Sequence, residues 1–123
     1  MKLIEKFPHA VRINGEVYEL NTDFRVGLKI MQAFEDSRLA KLEKQVIMCD
    51  LLFQKMPDDI NAAAIAAVKF LDCGKQRREV HSGRVYSFSK DAEYIYSAFL
   101  QTYGVDLQTA EMHWWKFCAM FGD

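Results

Sequence analysis

The sequence predicts a mainly α fold, a bundle of about five helices with a small N-terminal β-hairpin. Three observations predict it. Apolar residues recur at steps of three and four through most of the chain, the mark of one-sided helices. The breaks between those stretches carry residues that cap or stop helices, among them Asp58, Gly74, Gly104 and Asp106. Only the stretch around Asn14-Gly15 reads as a pair of short strands joined by a tight turn.

The hairpin is expected at about residues 9–20, because Asn-Gly readily takes the positive φ angles that a two-residue turn demands. Two strands alone are marginal in water, so the hairpin must lie on helices or pair with another chain. A first helix is expected at about 22–35, capped by Asn21 or Thr22, with Phe24, Gly27, Leu28, Met31 and Phe34 on one face. A second, at about 38–55, carries Leu39, Leu42, Val46, Cys49 and Phe53 and stops at Pro57. The third, at about 59–73, has Asp58 as its cap and Gly74 as its terminator, and its alanines permit close approach. Residues 75–88 lose the helical period and form the longest connection, with β character at Arg84 to Phe88. A fourth helix at about 90–103 starts from Ser89 and closes at Gly104. The fifth, at about 107–121, is capped by Asp106 and carries a stripe of Leu107, Ala110, Trp114, Phe117, Cys118 and Phe121.

At 123 residues the chain has the length of one domain, spanning 1–123. It is half apolar, and its 27% charged residues balance to a net −1, so no global field draws it to nucleic acid or an anionic membrane. Its longest apolar run, Ala62 to Val68, is far shorter than the ~20 residues a membrane helix needs. The N-terminus has charges where a secretion signal would be apolar. Cys49, Cys73 and Cys118 are odd in number and widely spaced, which fits a reducing cytosol better than a disulfide framework.

No catalytic spacing is present, so an enzyme is not expected. Gly74-Lys75 lacks the glycine and hydroxyl residues of a phosphate loop. His113 and Cys118, placed on one helix, would diverge by about 140°. No cofactor or metal site is expected. Asp58-Asp59 reads as helix capping rather than as a metal-binding pair. Lys75, Arg77, Arg78 and Arg84, near Tyr86 and Phe88, read either as a solvated loop or as a contact for a polyanion. Trp115 is turned ~100° from the stripe that holds Trp114. Either the hairpin or helix four covers it, or it forms a partner-binding strip with Met112 and Ala119, to which Phe121 adds.

Four blocks in order carry a resemblance that spans nearly the whole chain: Leu20 to Arg25, Phe70 to Gly74, Tyr86 to Phe88 leading into Asp91 to Phe99, and His113 to Phe117. The series resembles a family encoded in the tail gene region of siphophages and prophages of Gram-positive bacteria. The resemblance implies a tail assembly chaperone of the host cytoplasm that binds the tape-measure protein, helps the tail tube grow around it and is absent from the finished virion. It implies no catalytic residues. Self-association and contacts with other tail proteins are expected. Two other roles stay open: a structural completion or connector subunit of the tail, and nucleic-acid binding through residues 75–88. Family members commonly continue past the tryptophan-rich helix, so a truncated product or the loss of a further helix is expected over the face with Trp115 and Phe121.

Overall fold

Asn14 and Gly15 take positive φ angles of 51° and 85° and fold β1 (Ala10–Ile13) back onto β2 (Glu16–Glu19). The computed structural model describes residues 6–74 and 87–122. Ala10 lies opposite Glu19, Val11 opposite Tyr18, Arg12 opposite Val17 and Ile13 opposite Glu16. A two-residue turn makes Ile13 and Glu16 the first hydrogen-bonded pair, and antiparallel pairing then alternates. The Leu20 N–H donating to the His9 carbonyl at 2.9 Å keeps that alternation. Ala10 and Arg12 therefore turn their backbone groups away from β2.

The far edge of β2 is occupied at its Glu19 end. The Gln54 N–H donates to the Glu19 carbonyl at 3.1 Å and the Asn21 N–H to the Leu52 carbonyl at 2.7 Å, with Leu20 bridged to Phe53.

Five helices follow: α1 (Phe24–Glu35), α2 (Lys41–Leu52), α3 (Ile60–Leu71), α4 (Ala92–Tyr103) and α5 (Trp114–Phe121). The fold is mainly α, as expected, and the helix ends differ from the expectation for identifiable reasons. Asp23, not Asn21 or Thr22, caps α1 by accepting from the Arg25 N–H at 2.8 Å. The Asn21 amide is instead committed to the Leu51 carbonyl at 2.8 Å, and the Thr22 carbonyl to the Trp114 N–H at the same distance. Asp59, not Asp58, caps α3 through the Ala62 N–H. The second helix is shorter than about 38–55 at both ends. Asp36 binds the Arg38 N–H and side chain in a local turn before it, and Phe53 leaves it for the bridge to Leu20. Ser87, not Ser89, organises the turn before α4 by accepting from the N–H groups of Ser89 and Lys90.

The fifth helix is the largest correction. It starts at Trp114, not near 107, and its cap is His113, not Asp106. Asp106 makes a separate turn, accepting from the Gln108 N–H at 2.9 Å through its side chain. The chain then runs extended to His113, because the Phe24 N–H donates to the Met112 carbonyl and the Trp114 N–H to the Thr22 carbonyl. Those two bonds bridge Asp23 to His113. Tertiary hydrogen bonds override local helix propensity here.

The core is aromatic at its centre. The Phe117 ring lies 5.0 Å from that of Phe99, 5.3 Å from Phe24 and 5.6 Å from Trp114, all nearly parallel. Ile30, Met48, Cys49, Leu52, Ala63 and Ala67 extend this core through α1, α2 and α3.

Candidate partner-binding site

A surface helix of a folded domain normally has one apolar stripe and one polar face. In α3 only Asn61 and Lys69 are polar. Ala63, Ala67, Phe70 and Leu71 are buried, while Ile65 is 69% exposed, Val68 46% and Ile60 40%. The helix is apolar on faces that the rest of the described chain does not cover.

An open groove of about 470 Å³ runs between α3 and β1. Ala62, Ile65, Ala66, Lys69 and Phe70 line it from the helix, and Val11 to Asn14 from the strand and its turn. Asn14 fixes one end by donating its side-chain amide to the Asp59 carboxylate at 3.2 Å. Pro8, Gly74 and Trp115 close the other. Arg12 and Lys69 are the charged residues of the lining, and no carboxylate is among them.

Trp115 is held in place by the last turn of α3. Helix C-termini leave carbonyls without intrahelical partners. Two consecutive indoles bond two consecutive carbonyls of that turn: Trp114 Nε1 donates to the Leu71 carbonyl at 3.1 Å, and Trp115 Nε1 at 2.8 Å to that of Phe70, which also accepts from the Cys73 N–H. The Trp115 ring also packs near Phe7, Phe70 and His113. Helix α3 and the segment before β1 thus cover most of Trp115, rather than the hairpin proper or helix four.

The four residues expected to form a strip do not share a face. Trp115 and Ala119 lie one turn apart on α5, with Ala119 exposed. Met112 precedes the helix, half-buried in the extended segment. Phe121 turns toward Phe99, Phe117 and Phe88. Of the four, Trp115 reaches the groove. Lys75, Arg77, Arg78 and Arg84 lie outside the described residues, as does the strand character expected just before Phe88.

His113 supports the closed end of the groove. Its Nδ1 accepts from the Trp115 N–H at 2.9 Å, and its Nε2 faces the Pro8 carbonyl at 2.7 Å and donates to it. Both contacts are made together by the neutral ring. Burial pushes the imidazole below its ordinary value and the nearby His9 adds to this, while the Pro8 carbonyl works the other way. Among the described residues no group of histidines, cysteines and carboxylates is arranged to hold a metal ion, and no helix is long and apolar enough to cross a membrane.

The family model described as "Bacteriophage Gp15 protein" matches residues 3–123. The chain belongs to the bacteriophage Gp15 protein family. No curated protein and no solved structure matches it significantly. In this Gp15 protein the features that sequence reasoning missed are the outer face of α3 and the outward edge of β1. The first had a legible signal in the lack of polar residues between Ala62 and Val68. The second follows from the register, once Asn14 and Gly15 are placed in the turn.

Proposed function

We propose that this phage protein is a non-catalytic tail assembly chaperone that binds the tape-measure protein in the host cytoplasm and supports growth of the tail tube. The observation that carries this reading is α3, a surface helix with Ile60, Ile65 and Val68 exposed beside an apolar groove. Exposed apolar patches of this kind mark sites for a partner. A tape-measure protein consists of long helices with apolar stripes, which aggregate while they wait for the tube. A domain that covers a short stretch of such a stripe binds modestly, and repetition along the client raises the overall affinity. Self-association would extend the covered length.

The test is co-expression with the tape-measure protein of the same phage. The chaperone reading expects a soluble complex, and purified virions lacking this chain. A tape-measure protein equally soluble without it would refute the reading. Its stoichiometric presence in virions would make it a structural subunit instead.

A further inference from the structure

We propose that the groove between β1 and α3 takes an extended protein segment that alternates apolar and acidic residues and pairs with β1 as a third strand. This rests on the chaperone reading for the source of the segment, and on the groove alone for its chemistry.

Three observations lead there. The backbone groups of Ala10 and Arg12 point away from β2, and among the described residues no backbone group bonds to them. An unpaired strand edge is a template for another strand. The edge of β2 is taken at its Glu19 end by Gln54, and Val17 on that edge does not line the groove, whereas the free groups of β1 lie beside it. Second, β2 contributes no residue to the groove, which therefore lies on the open side of β1, with α3 as its far wall. A helix docked in it would cover Ile65 and Ala66 but leave the edge unpaired. A strand satisfies both, because alternate side chains of an added strand face opposite sides. Third, the charged side chains lining the groove are Arg12 and Lys69, both cationic, with no carboxylate between them. Neither takes part in an ion pair among the described residues. Complementary charge selects acidic residues in the incoming segment and disfavours basic ones. The same term opposes a second copy of this chain entering by its own β1, which would set Arg12 near Arg12.

The experiment uses the isotopically labelled full chain, titrated by NMR with short peptides that alternate valine with glutamate or valine with lysine. The glutamate peptide is expected to slow hydrogen exchange of the Ala10 and Arg12 amides by about tenfold or more at saturation, with the lysine peptide far weaker. The paired reversal Arg12→Glu with Lys69→Glu should invert that preference. Arg12→Pro removes an outward N–H together with the guanidinium and its bond to the Gly15 carbonyl, and the inward ladder is untouched, so the hairpin should persist while binding is lost. Should that variant fail to fold, the charge reversal decides alone. Equal binding of both peptides, or protection that bypasses Ala10 and Arg12, overturns the proposal. So does protection of those amides that rises with protein concentration and no peptide, since the occupant is then a second copy. If Arg12→Pro folds and still keeps the tape-measure protein soluble, the strand-pairing inference falls and the chaperone reading survives. If the glutamate peptide protects the edge but wild-type protein forms no complex with the tape-measure protein, the reverse holds.

Discussion

The indole of Trp114 packs directly on the backbone of Gly27, so that a Cβ at position 27 would lie only 2.2–2.7 Å from three carbons of its six-membered ring. Gly27 is buried in the middle of α1, where glycine costs about 1 kcal/mol relative to alanine. The glycine is there because α1 and the ring need the same space. Gly27→Ala should therefore destabilise the protein by about 1–3 kcal/mol, the usual cost of an overpacked core, despite the better helix former. Denaturant unfolding measures it. Combining it with Trp114→Leu should cost clearly less than the sum of the two single changes. Simple additivity would refute the contact.

His113 predicts a response to mild acid. The folded protein holds its imidazole below the ordinary value of 6.5, so the unfolded chain binds the proton first as pH falls. Stability from this residue is complete above about pH 6.5, declines below it, and stops declining beneath the folded value. The denaturation midpoint should drop between pH 7.5 and pH 5. His113→Asn keeps an acceptor for the Trp115 N–H and should flatten that part of the profile. An unchanged profile would remove His113 as its cause.

Glu35 joins the end of α1 to the chain leading into α4. Its carboxylate accepts from the Ser87 hydroxyl at 2.8 Å, the Phe88 N–H at 3.0 Å and the Ser89 N–H at 3.3 Å. Burial acts to raise its pKa, but these donors outweigh burial and hold the carboxyl below its ordinary 4.5. That contribution is present above about pH 4.5 and is lost as pH falls through the lower folded value, a window distinct from that of His113. Glu35→Gln should cost about 1–3 kcal/mol and speed hydrogen exchange at Phe88 and Ser89 more than in α2. Uniform acceleration along the chain would mean the carboxylate has no local role.

Ile65 separates stability from binding. It is exposed, so Ile65→Ser should change the unfolding free energy by no more than about 0.5 kcal/mol. The same change should sharply reduce recovery of a soluble tape-measure complex. Undiminished recovery would exclude the outer face of α3 as the docking surface.

Much of the fold was legible from local chemistry. Asn14-Gly15 specified the hairpin, and helical spacing put Phe24 and Cys49 on faces that are buried, whereas Phe34, Leu42 and Val46 of the same expected faces are exposed and Ile30, Met48 and Ala63 fill the core beside them. An end set by a local signal, Gly104 in the left-handed region, fell where it was expected. Ends set by distant partners did not. Leu107 to Met112 have an acceptable helical pattern, but Phe24 and Thr22 draw their neighbours into a bridge, and nothing local to that segment encodes this. The site followed the same rule. That Trp115 stands apart from the Trp114 stripe was visible from helical spacing, whereas its bond to the Phe70 carbonyl depends on where α3 ends in space.

The paired indole bonds to α3 also set an order of events on the ribosome. The Leu71 carbonyl must wait for Trp114, which is made 43 residues later, an interval of roughly 2–9 s at ordinary rates of synthesis. Until then Gly27 lacks the ring that packs on it, and the Phe24 N–H lacks the Met112 carbonyl. The end of α3 thus stays unlocked over that interval, and its closure waits for the tryptophan pair to clear the exit tunnel.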